Sequence, residues 1–295
     1  MNFSNAQGLP KALENMLTYS DYNSSGAKFD ISATKLIDSP QIAGFWKEFG
    51  KDVTEDCADR LWSSAGSGIH SRLEIANASD ADIICEKRFI GEEPHPVTGE
   101  PLKISAQLDV MDLTNNTIAD LKTCSAWKLV MGEHSQWEAQ LNVQAYLARK
   151  AGWQDDSVVI YALLRDWSKA RVREDNYPNT PLQVVDIDLW SFEEQQQYVT
   201  ERLALHFGDG EKQCTDAERW ARPGSYAVMQ KGKKRALRVL PTKEKALSWI
   251  ASQGLADDSK VSIEHRPATY TRCESFCPFG KMGVCQQYRE ATGDE

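Results

Sequence analysis

Apolar and polar residues alternate from position 104 to position 110, a pattern that predicts a half-buried β-strand. In the run that follows, Asp120 and Lys122 stand two positions apart, so their side chains leave the same face of a second strand. Asn115 and Asn116 lie between the runs and suit a two-residue turn, because asparagine tolerates positive φ. A turn centred there predicts that residue 109 pairs with residue 122, and residue 111 with residue 120.

This pairing would gather Asp109, Asp120 and Lys122 on one face of the sheet. Carboxylates at that distance repel each other unless a cation lies between them, and hard oxygen ligands favour Mg²⁺ or Mn²⁺. The pattern therefore predicts a metal site. The alternative is a solvated hairpin face that carries a surface ion pair.

Helical patterns on either side of the two strands add polar residues to the candidate site. Residues 66–74 predict a helix that carries His70 and Glu74 one turn apart on the same face. Residues 137–146 predict a second helix, on which Gln140 and Gln144 stack at i and i+4. The chain order is therefore a helix with His, a strand with Asp, a strand with Asp-x-Lys and a helix with Gln.

The rest of the pattern predicts an α/β fold with a mixed central β-sheet flanked by helices. Residues 157–168 are apolar enough for a central strand, and residues 182–190 alternate as another strand. Ser191 suits the N-cap of the helix that follows, whose first turn is acidic. Strands bordered by helices on both sides are typical of such a core.

Changes of composition along the chain predict three regions. Residues 1–27 are polar and are expected to form a flexible N-terminal arm. Residues 28–210 are expected to form the α/β core. Residues 211–295 contain a second hairpin around Gly232, then a helix and a cysteine-rich tail, and are expected to form a small C-terminal module packed on the core.

Composition and charge narrow the class of protein. A content of 41% hydrophobic and 26% charged residues is ordinary for a globular protein. No apolar run approaches the roughly 18 residues of a membrane span, and the N-terminus lacks the apolar stretch of a signal peptide. We therefore expect a cytoplasmic protein without a membrane partner. A net charge of -9 argues against coating nucleic acid by bulk charge.

One short segment of the second hairpin departs from this acidic balance, because it concentrates five cations. We predict that it contacts DNA, whereas the alternative is a hairpin edge that lysines protect from pairing with another chain. The five residues are Lys231, Lys233, Lys234, Arg235 and Arg238.

Seven cysteines in a protein expected in a reducing cytosol indicate thiols or metal ligands more than disulfides. Three of them lie close together in the C-terminal tail, with turn-forming Pro and Gly residues between them: Cys273, Cys277 and Cys285. This spacing predicts a Zn²⁺ or iron–sulfur site that needs a fourth ligand. Cys214 is preferred as the fourth because it lies in a polar loop of the same module. The other candidates are Cys57, Cys85, Cys124 and His265, of which Cys85 and Cys124 fit small core residues better. Three uncoordinated thiols remain the alternative.

The order and spacing of these motifs resemble the PD-(D/E)XK nuclease superfamily. They are similar in particular to its RecB-like branch, which includes CRISPR-associated and phage-encoded exonucleases with a C-terminal cysteine cluster. The resemblance covers residues 30–290. It departs at Gln144, where family members usually carry a tyrosine four residues after the motif glutamine, and the nearest tyrosine is Tyr146. The family precedent favours [4Fe-4S] over zinc at the cysteines.

This resemblance implies a metal-dependent DNA nuclease. One or two Mg²⁺ or Mn²⁺ ions would be held by His70, Asp109, Asp120 and the backbone carbonyl of Leu121. Lys122 would position the attacking water or stabilise the developing negative charge, and Gln140 would orient the water or the phosphate. Glu74 would hold a water beyond the metal's direct ligands.

The resemblance also implies a setting, namely DNA end processing in phage replication or recombination, in the host cytoplasm and with a recombination or replication partner. No P-loop, Ser-His-Asp order or dinucleotide fingerprint is present, so a helicase motor would be a separate subunit. The rival hypothesis is a catalytically silent DNA-binding or assembly protein that keeps the nuclease fold. The Asp/Asp-x-Lys set argues against this rival, and the absent tyrosine argues for it.

Overall fold

The computed structural model describes residues 2–19, 26 and 28–293. The chain divides into two compact units, Met1–Lys212 and Gln213–Glu295. The strands of the first unit are β1 (Asn2–Ser4), β2 (Ile31–Ser32), β3 (Thr54–Asp56), β4 (Ile83–Pro94), β5 (Pro101–Asp112), β6 (Thr117–Cys124), β7 (Ser157–Leu164) and β8 (Leu182–Ile187). Its helices are α1 (Lys11–Thr18), α2 (Ala33–Leu36), α3 (Pro40–Phe49), α4 (Leu61–Asn77), α5 (Ala126–Met131), α6 (Ser135–Lys150) and α7 (Phe192–Phe207).

The core of the first unit is a mixed six-stranded sheet with the order β2-β5-β6-β7-β8, and β4 also pairs with β5. The β2–β5 and β6–β7 pairs are parallel, and the other pairs in this sheet are antiparallel. Because β4 accompanies β5 from Pro101 to Asp112, β2 and β6 share the opposite edge of β5. The predicted α/β fold with a mixed sheet flanked by helices is confirmed.

Helix α6 connects the parallel strands β6 and β7 and is the most deeply packed helix of the described chain. Ten of its residues are buried, and Leu141, Ala145 and Ala148 are fully enclosed in the main hydrophobic core. A connection of this kind covers one face of a sheet, as parallel strand pairs require. Helix α7 begins as predicted, because the Ser191 side chain accepts a hydrogen bond from the backbone N–H of Glu194.

The turn between β5 and β6 differs from the predicted two-residue turn. The strands pair Val110 with Ala119 and Asp112 with Thr117, so the turn spans residues 113–116 and residue 109 faces residue 120 instead of 122. The Asp112 carboxylate stabilises the longer turn, since it accepts hydrogen bonds from Thr114 N at 3.0 Å and Asn115 N at 3.1 Å. A shift of two residues preserves the face of every side chain, so the acids still converge.

Residues 2–19 do not form the expected loose arm. Strand β1 pairs in parallel with β3, and Leu17 of α1 is buried. The Asp56 carboxylate holds this segment by accepting hydrogen bonds from Ser4 Oγ at 3.0 Å and Ala6 N at 2.7 Å. The part of the predicted arm at positions 20–25 and 27 lies outside the described residues.

The second unit contains its own small sheet. Its elements are α8 (Asp216–Arg219), β9 (Ala221–Arg222), β10 (Ser225–Gln230), β11 (Arg238–Leu240), α9 (Lys243–Ser252), β12 (Val261–Arg266), β13 (Thr269–Tyr270), a π-helical turn (Arg272–Phe276), α10 (Pro278–Lys281) and α11 (Gln286–Thr292). Strand β10 pairs antiparallel with β11 and β12, and α9 packs on this sheet through Val228, Ala246 and Ile250. Gly232 adopts φ +90 in the β10–β11 turn, as the predicted hairpin requires. Across the described ranges, no helix combines the length and apolarity that a membrane crossing needs.

Candidate active site

The site forms where the edge of β5 loses its partner strand. Strand β6 pairs with β5 only over 110–112, and β2 pairs only at 104–105. The stretch of β5 between them borders a cleft of ≈ 570 Å³. Its ionisable and amide lining residues are His70, Glu74, Glu86, Arg88, Gln107, Asp109, Asp120, Lys122, Gln140 and Gln144. The cleft therefore brings together most of the residues that the sequence predicted for the nuclease site.

One wall of the cleft is a histidine with two carboxylates. His70 Nδ1, on α4, lies 3.1 Å from Glu86 Oε1 and 3.5 Å from Asp109 Oδ1. One ligand atom from each of the three residues lies within 4.8 Å of the others. Glu86 was not predicted as a site residue. Nothing local in the sequence shows that β4 aligns Glu86 beside Asp109.

The backbone at Glu86 explains how its side chain reaches the site. The β4–β5 ladder pairs Cys85 with Val110 and Lys87 with Leu108, and Glu86 and Asp109 lie between these pairs. Glu86 has φ 53, a left-handed conformation that is uncommon for a residue with a side chain. Such backbone persists only where the surroundings hold it, and Glu86 is held by hydrogen bonds to His70 and Gln107.

The opposite wall is a contact network around Asp120, which is 1% exposed. Lys122 Nζ lies 2.7 Å from Asp120 Oδ2 and donates a hydrogen bond to Gln140 Oε1 at 3.0 Å. Gln140 Nε2 in turn donates to Asp120 Oδ1 at 2.6 Å. The Lys122–Asp120 contact is an ion pair without hydrogen-bond geometry, so Asp120 Oδ2 has no hydrogen-bond donor among the described residues.

Gln144 fills the position where the resembled family has tyrosine. Its Nε2 donates to the Gln107 carbonyl at 3.0 Å and lies 3.3 Å from Asp120 Oδ1. Tyr146, the nearest tyrosine, is buried elsewhere and donates its hydroxyl hydrogen to Glu93 Oε1 at 2.6 Å. The helical step between Gln140 and Tyr146 keeps the tyrosine off the cleft-facing side of α6.

Burial and like charge dominate the electrostatics of the site. Burial, followed by the charge of Asp120, raises the pKa of Asp109 to about 7, although His70 and the Leu121 N–H lower it. The hydrogen bond to Glu86 raises the pKa of His70 in spite of its burial. Burial alone would raise the pKa of Glu86, but the hydrogen bonds from His70 and Gln107 outweigh it, so that pKa is lowered. Burial and the neighbouring Asp120 charge thus disfavour the ionised form of Asp109, which a bound cation would favour.

The donor atoms fit a divalent metal ion. Two carboxylates and one imidazole converge on one wall, and Asp120 contributes a buried oxygen without a hydrogen-bond donor. An oxygen-rich set of this kind suits Mg²⁺ or Mn²⁺. Leu121 enters the site through its backbone N–H, which donates to Asp109 Oδ2 at 2.7 Å. Glu74 lines the cleft.

The cysteines of the second unit occupy a separate region. Cys273, Cys277 and Cys285 are all buried, and each lies in or directly beside a short helical turn. Burial raises the pKa of the Cys273 thiol, the Arg219 hydrogen bond lowers it, and the charges of Cys277 and Cys285 raise it further. Cys214 is tied to the same region, because its N–H and carbonyl bond the Gln287 side-chain amide at 3.2 and 2.8 Å.

Arg219 is a residue that the sequence did not indicate. It is 7% exposed, and its Nε and Nη2 lack hydrogen-bond acceptors among the described residues. A guanidinium stays charged, so burying it beside thiols is costly unless negative charge lies close by. Asp216 Oδ1 lies 3.9 Å from Arg219 Nη1, and the guanidinium carbon lies 3.6 Å from the centroid of the Tyr270 ring. Cysteines coordinated to a metal would add further negative charge. Of the other candidate ligands, Cys57 is buried in the first unit, and Cys85 and Cys124 pack against hydrophobic clusters there.

The predicted DNA-binding cations lie on the β10–β11 turn and at the start of β11. All five side chains are exposed, and none forms an ion pair with a described carboxylate. These cations and the four cysteines belong to the second unit, whereas the cleft belongs to the first.

No model of a known protein family matches this chain, and no curated protein matches it. Matches exist among solved structures. The crystal structure of SSO0001 matches with a TM-score of 0.46 and 14% identity, over 71% of this chain and 87% of that chain. An alkaline exonuclease (LHK-Exo) from Laribacter hongkongensis matches with a TM-score of 0.33 and 11% identity, over 59% of this chain and 85% of that chain. A phage related exonuclease from Haemophilus somnus 129PT matches with a TM-score of 0.34 and 11% identity, over 66% of this chain and 89% of that chain. At these scores the similarities carry no argument about activity.

The site geometry predicts that Mn²⁺ binding strengthens as pH rises. A bound cation needs Asp109 ionised, and with a pKa of about 7 protons compete below neutrality. We expect the dissociation constant for Mn²⁺, measured by isothermal titration calorimetry, to fall by at least about tenfold between pH 6 and pH 8. Asp109→Asn should weaken binding and reduce this pH dependence, to which His70 still contributes because its pKa is also raised. Asp186→Asn, at an exposed position of β8 outside the cleft, should bind as the parent does; equal binding by Asp109→Asn would contradict the assignment.

Proposed function

We propose that this chain is a divalent-metal-dependent DNA nuclease that hydrolyses phosphodiester bonds. One observation carries the proposal. Asp120, Lys122 and Gln140 contact one another in a cleft, with His70, Glu86 and Asp109 gathered on its other wall. The carboxylates that would hold a metal therefore lie beside the Lys122 ammonium group, which could contact the substrate phosphate.

The metal would be held by His70, Glu86, Asp109 and Asp120, and by the Leu121 carbonyl as a further ligand. When bound, Mg²⁺ or Mn²⁺ supplies a water of lowered pKa and positive charge beside the scissile phosphate. Glu86 is an addition to the predicted set. Its support is its place within 4.8 Å of the His70 and Asp109 ligand atoms.

Lys122 would act on the charge that develops as the phosphodiester bond breaks. Its ammonium group is preorganised, because Asp120 and Gln140 hold it at 2.7 and 3.0 Å. A cation fixed in advance needs little reorganisation at the transition state, which is where electrostatic stabilisation is most effective. Gln140 would present its amide to the attacking water or the phosphate, and Glu74 would hold a water from the neighbouring helix.

The second unit would contribute to DNA affinity. Net charge is -9, so attraction to the phosphate backbone must come from local groups. The exposed turn with Lys231, Lys233, Lys234, Arg235 and Arg238 offers such a group, because no described carboxylate neutralises it.

We further propose that the nuclease acts as an exonuclease, as RecB-like enzymes do. The order of the His, Asp, Asp-x-Lys and Gln motifs supports this mode of action. The same resemblance supports DNA end processing in phage replication or recombination, with a replication or recombination protein as partner. The absent tyrosine favours the rival, a silent DNA-binding protein. Gln144, however, supplies a hydrogen bond to Asp120 from that position, which weakens the rival.

We further propose that Cys214, Cys273, Cys277 and Cys285 coordinate one metal centre. The buried, incompletely bonded guanidinium of Arg219 supports a negatively charged centre there. The resemblance to RecB-like exonucleases with a C-terminal cysteine cluster favours a [4Fe-4S] cluster over zinc.

The first prediction concerns activity. With Mn²⁺ or Mg²⁺ the protein should degrade linear DNA and spare covalently closed circles, and EDTA should stop the reaction. Lys122→Ala should lower kcat by a factor on the order of 10² to 10³ with little change in DNA binding, because the lost charge acts mainly on the transition state. Lys87→Ala, at an exposed position of β4 outside the cleft, is the matched control. Equal cleavage of circles would overturn exonuclease action, and no metal-dependent cleavage would favour the silent protein.

The second prediction concerns the basic turn. Replacing Lys233, Lys234 and Arg235 by Ala should flatten the dependence of log K on log salt by roughly 0.9 per lost phosphate contact on duplex DNA. Filter binding over a salt series measures this slope. Replacing the exposed Lys243 and Lys245 of α9 should leave it unchanged. A slope that persists in the triple variant would mean that this turn does not contact DNA.

The third prediction concerns the cysteines. Cys214→Ser should lower the metal content per chain and make the second unit more sensitive to protease, because metal binding contributes folding free energy. Cys85→Ser should do neither. A brown protein containing iron would indicate the cluster, and a colourless one containing zinc the alternative. Metal loss in Cys57→Ser but not in Cys214→Ser would reassign the fourth ligand, and analysis that finds neither metal would overturn the proposal.

A further inference from the structure

Helix α4 leaves a large aromatic side chain uncovered beside the cleft. None of its 17 residues is buried, although a helix on a protein surface normally buries an apolar stripe. Trp62, in its first turn, is 50% exposed. Two turns further along, His70 lines the cleft. The helix that supplies the candidate metal ligand therefore also presents a half-exposed indole.

An arginine from the end of β7 lies against this indole. The Arg165 guanidinium carbon is 5.2 Å from the centroid of the Trp62 ring. The Arg165 backbone N–H donates to the Cys124 carbonyl at 3.0 Å, and Cys124 ends β6 two residues after Lys122. Two strand residues span roughly 7 Å, so the backbone that anchors Arg165 lies close to that of the cleft residue Lys122. No described carboxylate lies within ion-pairing distance of Arg165.

A second tryptophan–arginine pair lies on the segments that follow β6 and β7. Trp127 of α5 is 45% exposed, and the Arg171 guanidinium carbon lies 4.6 Å from the centroid of its ring. Glu174 holds Arg171 through hydrogen bonds of 2.9 and 2.8 Å. Asp166, the residue after Arg165, accepts a hydrogen bond from Ala126 N at 2.7 Å, which anchors α5 beside the end of β7. The arginine that lies against the Trp127 ring is thus held in place by Glu174.

We propose that Trp62 and Trp127, each backed by its arginine, form a stacking surface for the bases of single-stranded DNA at the rim of the cleft. The inference rests on the proposed function, because it names the strand state of that site's substrate. Exposed aromatic rings combined with arginine are how proteins hold single strands irrespective of sequence. Paired bases are enclosed within the duplex and do not offer their faces, so the surface selects an unpaired strand.

The test compares DNA ligands without divalent metal, so that no cleavage occurs. Fluorescence anisotropy would give Kd for a labelled single-stranded oligonucleotide, for the same strand with abasic sites, and for a blunt duplex. We expect Trp62→Ala and Trp127→Ala each to weaken binding of the intact single strand by about tenfold, as the loss of one base–aromatic stack does. Binding of the abasic strand and of the duplex should change less than about twofold. Trp62→Phe and Trp127→Phe should recover most of the affinity.

The controls separate stacking from general damage. Ile75→Ala removes another exposed apolar side chain at the far end of α4, and Trp220→Ala removes a partly exposed tryptophan of the second unit. Both should bind the single strand as the parent does. If the two alanine variants retain parental single-strand affinity, or lose abasic and duplex affinity equally, the stacking surface is refuted, and a protein partner becomes the candidate occupant.

The nuclease proposal is decided by a different measurement. Cleavage with Mn²⁺ by the parent, together with unchanged single-strand binding by the alanine variants, would overturn the stacking surface alone. The expected binding pattern in a protein that cleaves no DNA would overturn the nuclease proposal and leave the stacking surface standing. A parent protein that binds no DNA would overturn both.

Discussion

The arrangement of the cleft depends on the burial of two like charges. Asp109 and Asp120 are 8% and 1% exposed on neighbouring strands. The charge of Asp120 raises the pKa of Asp109, and Lys122 lies 2.7 Å from Asp120. Repulsion in a poorly solvated place is costly, so buried acids are kept only where partners or a metal compensate for it. Several polar groups around them serve this compensation: His70 and the Leu121 N–H lower the pKa of Asp109, and Lys122 and Gln140 contact Asp120.

The sheet supplies the rigid frame for this compensation. Strands β5 and β6 are paired only near their turn, and their separation at Asp109 opens the cleft. Beyond the paired region, the Leu121 N–H donates its hydrogen bond to the Asp109 carboxylate. Helix α6 then approaches from the core, because its apolar residues pack on the sheet, and brings Gln140 and Gln144 to Asp120. Precise placement of polar side chains thus follows from apolar packing on the same elements.

The second unit shows the same relation between burial and charge with the opposite sign. There a buried arginine interacts with the Cys273 thiol, and two of its nitrogen atoms lack hydrogen-bond acceptors among the described residues. An arginine cannot shed its proton to relieve the cost, so it depends on negative charge nearby, to which the Asp216 carboxylate contributes from 3.9 Å. In both units the incompletely bonded buried group is what points to a ligand.

The sequence by itself determined the elements and the face from which each side chain leaves. Alternation between positions 104 and 110 and the two-residue spacing of Asp120 and Lys122 depend only on the local geometry of a strand. For this reason the acids converge even though the turn is two residues longer than predicted. The helical spacing of Gln140 and Gln144 likewise anticipated which side of α6 faces the cleft.

Only the tertiary structure decided which distant residues complete these groups. Glu86 joins His70 because β4 aligns with β5 and because its backbone adopts φ 53, and neither fact has a local signature in the sequence. Arg219 meets the cysteines, and Arg165 meets Trp62, across long separations along the chain. Local patterns express the short-range periodicity of the backbone, whereas these contacts arise from strand pairing and packing between segments far apart in sequence.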